Sequence, residues 1–173
     1  MNITIRGVDK LIKHIESYSK QLDSKLKRFV EELGKIGYNE AVTLYTNAEY
    51  AGTNDVVVDL PYWKDDKTLV LSATGSSITF IEFGTGIWKY GGDTHPLADE
   101  LGFKRGEFGY GLGKLRSWRY YGEPGNLGVP ITEGKHAGMI KTEGNPPAKA
   151  MYFAGKTMQE EILTIAKEVF NGK

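Results

Sequence analysis

The chain contains no cysteine, which excludes a disulfide framework, a thiol nucleophile and cysteine-ligated zinc or iron–sulfur centres. It also lacks net charge, because 22 Lys+Arg balance 22 Asp+Glu. Neutrality argues against a protein that coats DNA through bulk basicity, while leaving room for a local basic patch. No apolar run approaches the ~18 residues of a membrane span. The opening stretch MNITIRGVDKLIKHIE has no apolar secretory core, so synthesis in the cytoplasm and no membrane partner are expected. What is abundant is glycine: 22 of 173 residues, nearly twice the usual ~7%.

A length of 173 residues is room for one domain. Residues 2–6 alternate and predict a short strand, ended by Gly7. From Asp9, a plausible N-cap, apolar residues recur at three- and four-residue steps from Leu11 through Leu22 and Leu33 to Ala48. Unbroken, that helical segment would be about 60 Å long. Gly34 and Gly37 offer a break; otherwise the helix protrudes and packs on a neighbouring copy.

Over 55–83 the period changes to two. DVVVDL, TLVLSAT and SITFIEF predict a three-stranded antiparallel meander, with turns at Lys64-Asp65-Asp66-Lys67 and Thr74-Gly75-Ser76. Fifteen of the glycines then fall between Gly84 and Gly144, interleaved with aromatics such as Trp88, Phe103, Trp118 and Tyr121. Within this stretch 115–121 and 137–142 predict a returning strand pair. Asn145 as N-cap and Pro146 at the first helical position predict a last helix, stopped by Asn171-Gly172 and covering one face of the sheet. The expected architecture is α+β, one domain over 1–173. Its core is 1–86 and 137–173, carrying a glycine- and aromatic-rich arm, 87–136.

The search for chemistry finds little. His14 lies on the charged side of the first helix and His136 in a turn. His95, with Asp93, Asp99 and Glu100 nearby, could be assembled into a metal or hydrolytic site, but no His-Glu-x-x-His pattern supports it. GYGLGK (109–114) fails the phosphate-loop spacing, and no Gly-x-Ser-x-Gly elbow exists. Carboxylate pairs such as Asp65-Asp66 read as solvated charge. No catalytic, metal or cofactor residue is therefore assigned. Lys104, Arg105, Lys114, Arg116 and Arg119 cluster with aromatics, a pattern that suits nucleic acid. Segment 84–133, however, balances six Lys/Arg with six Asp/Glu, and an inter-subunit surface accounts for the same Tyr, Trp and Arg.

One motif carries a resemblance. IEFGTGI (81–87), placed after a long N-terminal helix and strands, and EGNPPAKAMYFA (143–154), opening a last helix, occur in an order that resembles the tail-completion or head–tail joining proteins of long-tailed bacteriophages. Trp118-Arg119-Tyr120-Tyr121 and Met139-Ile140-Lys141-Thr142 fit the stretch between the two anchors. Ala51-Gly52-Thr53-Asn54 stands where such proteins carry a Val-Asp-Thr-Gly-x-Leu run, and the segment from Gly91 to Lys114 is longer than theirs. The resemblance implies a non-enzymatic virion component forming a hexameric ring of copies at the neck. Its partners would be the head-side connector or stopper and the major tail tube protein, with DNA only as passing cargo. It also implies assembly roles for Glu82, Phe83, Gly84, Thr85, Gly86, Trp88, Arg116, Trp118, Tyr120, Tyr121, Pro146 and Pro147. On the residues themselves, Glu82 is either bonded to neighbouring backbone or presented to a partner. Gly84 and Gly86 permit backbone conformations closed to other residues.

Overall fold

The computed structural model describes residues 8–103, 106 and 114–171. Its framework is two antiparallel helices, α1 (Val8–Thr46) and α4 (Ala150–Asn171), packed on each other. Between them in sequence lie β1 (Val57–Val58), β2 (Tyr62–Asp65), β3 (Thr68–Val70), β4 (Ala73–Thr74), α2 (Ile78–Phe83), α3 (Ala98–Leu101), β5 (Trp118–Tyr120), β6 (Val129–Pro130) and β7 (Ile140–Thr142). The α+β class is as expected. The strand expected over 2–6 lies outside the described residues.

α1 runs unbroken for 39 residues, about 58 Å. Gly34 and Gly37 are notches rather than breaks. A Cβ on Gly34 would lie 2.5 Å from Leu69 Cδ2, and one on Gly37 would lie 2.6 Å from Met158 Sδ. The helix gives up roughly 1 kcal/mol per glycine so that β3 and α4 can approach its backbone. Phe29 meets Phe170 with ring centroids 6.0 Å apart, and Lys25 Nζ donates to the Phe170 carbonyl at 3.0 Å. α4 therefore ends beside Lys25, and residues 8–24 of α1 project about 25 Å past it.

The C-terminal helix was expected on a sheet, and it packs on α1 instead. Among the described residues no ladder is broad enough to receive it: the widest has three strands, about 14 Å across, while α4 is about 33 Å long. β1 pairs with β4, and β2 with β3 around the turn expected at Lys64-Asp65-Asp66-Lys67, where Asp65 pairs with Thr68, all antiparallel. The expected return of 115–121 on 137–142 is present as β5 paired with β7, with β6 on the other edge of β7.

The expected third strand of the meander is a helix, α2. The Asp55 carboxylate decides this. Its oxygens accept from the backbone N–H groups of Ser76 (2.8 Å) and Ser77 (2.9 Å) and from both hydroxyls, closing a turn. Those bonds hold the Asp55 carboxyl well below the usual carboxylate range. After that turn the chain winds, and Ile78, Ile81 and Glu82 face inward while Phe80 stays exposed. The apolar residues satisfied a two-residue and a helical period equally well, and tertiary contacts chose.

The core gathers where the C-terminal end of α1 meets α2 and the start of α4, around Tyr45, Ala48, Ile81 and Ala150. The described part of 87–136 is tied to this body. Asn126 accepts from Tyr50 N–H at 2.7 Å and donates to the Ala48 carbonyl at 3.1 Å, which satisfies backbone groups just past the end of α1. Among the described residues no helix is long and apolar enough to cross a membrane.

Candidate functional site

The two sequence anchors, 60 residues apart, fold into one buried joint. Asn145 is wholly buried and fully bonded. Its backbone exchanges N–H···O bonds of 3.0 and 3.1 Å with Thr85, and its side-chain amide donates to the Phe80 and Pro146 carbonyls at 2.9 and 3.1 Å. The Thr85 hydroxyl donates to Asn145 Oδ1. Asn145 was expected to cap the last helix from directly before Pro146. The helix instead begins at Ala150, and Asn145 pins the approach to it. Lys149, at φ 55°, makes the final bend into α4.

The helix cap comes from the other anchor. Glu82 accepts from the backbone N–H groups of Ala150 (2.8 Å), Met151 (3.1 Å) and Tyr152 (3.3 Å), the amides that an α-helix start leaves unpaired. A carboxylate there is also favoured by the helix dipole. The exchange is reciprocal: the Ile81 and Glu82 carbonyls at the end of α2 accept from Ala148 N–H (2.8 Å) and Lys149 N–H (3.2 Å). Each helix end completes the other.

Two further donors close around Glu82. Tyr45 O–H donates to Oε2 at 2.9 Å, and His95 Nε2 lies 3.2 Å from Oε1. His95 Nδ1 accepts from Leu97 N–H at 3.1 Å, which places the ring proton on Nε2, pointed at the carboxylate. Burial first, then the Glu82 charge and hydrogen bond, hold the Tyr45 phenol well above its ordinary range. The imidazole is walled by aromatic rings, 4.4 Å from Phe83 and 5.6 Å from Tyr152 between centroids, and Phe83 stacks on Phe103 at 4.2 Å.

Glycine is required at two places in this joint. Gly84 (φ 76°) and Gly86 (φ 70°) have left-handed backbones, and a Cβ would lie 2.8 Å from Pro147 N or 2.5 Å from the Glu143 carbonyl oxygen. Seven of the twelve residues singled out by sequence, namely Glu82, Phe83, Gly84, Thr85, Gly86, Pro146 and Pro147, thus meet here. Glu82 and Pro147 are buried, and the others are half-buried. Glu82 was expected either to bond neighbouring backbone or to meet a partner; it bonds backbone, but that of a helix start 68 positions away.

The remaining five lie away from the joint. The Arg116 guanidinium sits over the Trp88 ring at 5.1 Å, joining two exposed residues. Trp118 and Tyr120 are half-buried on β5, Tyr120 O–H donates to the Glu123 carbonyl at 2.8 Å, and Tyr121 is exposed. Lys104, Arg105 and residues 107–113, which include most of GYGLGK, lie outside the described residues.

The constellation of His95, Asp93, Asp99 and Glu100 is not assembled. His95 turns to Glu82, Asp93 pairs with Lys149, and Asp99 and Glu100 are exposed on α3. Among the described residues no group of three or more His, Asp or Glu is placed to hold a metal ion. A shallow cleft of about 170 Å³ beside Lys89, Tyr90, Lys141 and Glu143 is smaller than the ~300 Å³ at which small-molecule pockets begin. Tyr45, His95 and Asn145 are the joint residues that sequence reasoning did not assign to it. The available signal was a lone carboxylate in an apolar run, which obliges partners to exist somewhere. Comparison of the chain with protein-family models, with curated proteins and with solved structures gives no match in any of the three.

Proposed function

We propose that this chain is a non-enzymatic structural component of a phage virion, acting in head–tail joining or tail completion as a ring of copies at the neck. The observation that carries the reading is the mismatch between body and helix. A small α+β body, locked by the Glu82–Asn145 joint, holds out about 25 Å of α1, and among the described residues its apolar side chains from Ile12 to Leu26 stay between 38% and 69% exposed. Such a shape suits assembly better than turnover of a substrate. The joint supports it further: a fully bonded carboxylate buried among five donors is a device for rigidity. It orients α4 and α1 as one strut on which inter-subunit contacts can be built.

By the resemblance of IEFGTGI and EGNPPAKAMYFA, the ring is hexameric, contacts the head-side connector or stopper and the tail tube protein, and lets DNA pass. Zero net charge suits a passage that must not hold DNA tightly. The test is removal of the gene from the genome that encodes it. Electron microscopy should then show DNA-filled heads and separate tails, rejoined when the wild-type chain is supplied. Intact, infectious particles without it would overturn the reading.

A nucleic-acid-binding module is the second reading, favoured by one observation. The β5–β7 register sets Arg119 directly opposite Lys141, both exposed, so two cations share one sheet face. Salt-dependent binding to duplex or single-stranded DNA, lost in Arg119→Ala, would select it.

A further inference from the structure

We infer that the open face of the β5–β7–β6 sheet is a contact strip for the phosphate backbone of duplex DNA. The inference deepens the nucleic-acid reading and rests on it. One face of this sheet is closed: Ile140 and Thr142 on β7 are buried, and Trp118 and Tyr120 beside them on β5 are half-buried. The open face carries the row Arg119, Lys141 and Val129, fixed by the register of β7 with both its neighbours, and all three are exposed. Residues opposite each other in an antiparallel pair hold their Cβ atoms about 5 Å apart, and like charges there repel. The three strands contain two cations and no carboxylate, so the sheet itself has nothing to relieve that repulsion. An anion seated between Arg119 and Lys141 supplies the missing countercharge.

Two more cations adjoin the row. Lys89 lines the shallow cleft together with Lys141 and Val129, and Arg116 lies over the ring of Trp88, the residue next to Lys89. Among the described residues none of these four cations is within ion-pair distance of a carboxylate, whereas Lys35, Lys149 and Lys156 each are. Of the acids that balance segment 84–133, Asp93 is paired with Lys149, and Asp99 and Glu100 sit on α3. Two others temper the patch: Glu143 shares the cleft, and its charge and that of Glu49 reach Lys89. Cations spread over a strand row and its border suit a ligand whose charges repeat, as phosphates do along a backbone, and a guanidinium meets phosphate with two parallel bonds. The same surface is poor for stacking bases. The row ends in aliphatic Val129, and Trp88 already has a guanidinium on one face, where a single-strand groove needs free aromatic platforms. Backbone contact without base readout gives weak, sequence-independent binding, with Kd of about 10⁻⁴–10⁻⁶ M at physiological salt. Contact that weak also serves a ring through which DNA slides.

The test uses the full chain and a fluorescent mixed-sequence duplex, with binding followed by anisotropy from about 50 to 200 mM salt. Three to four phosphate contacts predict that log K falls against log salt with a slope of about −2.7 to −3.6, an affinity loss of about 40- to 150-fold over that range. Arg119→Ala and Lys141→Ala should each weaken binding and flatten the slope by about 0.9. Glu143→Gln, which removes the acid from the cleft, should strengthen it. Lys67→Ala, at an exposed cation of the β2–β3 turn, should leave the slope unchanged. All four sites are exposed, so circular dichroism should show an unchanged fold. No binding even at about 50 mM salt would overturn the inference and the nucleic-acid reading together, leaving the ring to be judged by gene removal. Duplex binding indifferent to Arg119→Ala and Lys141→Ala would overturn the strip while the nucleic-acid reading stands. Tighter binding to single-stranded DNA, lost in Tyr121→Ala, would show bases stacking on that exposed ring and overturn the duplex backbone as the ligand. Tighter binding to phosphatidylserine–phosphatidylcholine vesicles than to duplex would overturn the inference in favour of a lipid surface.

Discussion

Replacing Glu82 by alanine should be among the most damaging single changes in the molecule, and its cost follows from the donors it leaves behind. The phenol of Tyr45, the Nε2–H of His95 and the first amides of α4 would lose their common acceptor inside the protein. A buried donor left without a partner costs about 1–3 kcal/mol. Water entering the vacated space recovers part of this, so a net loss of about 3–5 kcal/mol is expected, in the range seen when a buried charged pair is broken. For a domain of this size each kcal/mol moves the thermal midpoint by about 2–4 °C, giving a fall of about 6–20 °C. Glu82→Gln keeps the shape and one acceptor, and Tyr45 can reverse its hydroxyl to receive the new amide, but the Ala150 N–H then faces a second donor, so about 1–3 kcal/mol is expected. Thermal unfolding followed by circular dichroism ranks the variants. If Glu82→Ala cost under about 1 kcal/mol, or proved milder than Glu82→Gln, the capping role assigned to this carboxylate would be refuted.

Other consequences can be checked alongside. Gly86→Ala must hold a left-handed backbone and push a methyl onto the Glu143 carbonyl, so a loss of at least about 2 kcal/mol is expected in the same unfolding assay. Filling the α1 notch with Gly37→Val should cost about 1–3 kcal/mol through displacement of Met158, and a neutral result would show that α4 does not seat there. The Tyr45 phenol is raised in the fold, so its contribution is complete below the ordinary value of 10.0 and is lost as pH climbs through the higher folded value. Alkaline titration should therefore destabilise the wild type more steeply than Tyr45→Phe. Asp55 is shifted the other way: its contribution is present above 3.8 and fades as pH falls toward its lower folded value, so Asp55→Asn should flatten the acid limb of the stability curve.

The parts of the fold legible in sequence are those decided locally. α1 announces itself by a stripe sustained over many turns, the β2–β3 turn by its Lys-Asp-Asp-Lys run, and the β5–β7 pair by matched strand formers. Residues 78–83 were not legible as a helix, because six residues rich in Ile and Phe suit either period and the choice rests with Asp55, more than 20 positions away. The start of α4 was misplaced for a related reason. Pro146 after Asn145 is a good local start signal, but the cap is Glu82, supplied from α2. The same distance hid the joint itself: both anchors were visible as motifs, and nothing in either named the other as its partner.

Quantitative mass spectrometry of purified particles from the genome that encodes this chain would decide whether it forms a ring at the neck. The chain should be present in intact particles at a fixed, small copy number equal to one ring, far below that of the tail tube protein. Its absence from particles, or a copy number that grows with tail length, would contradict a ring at the neck.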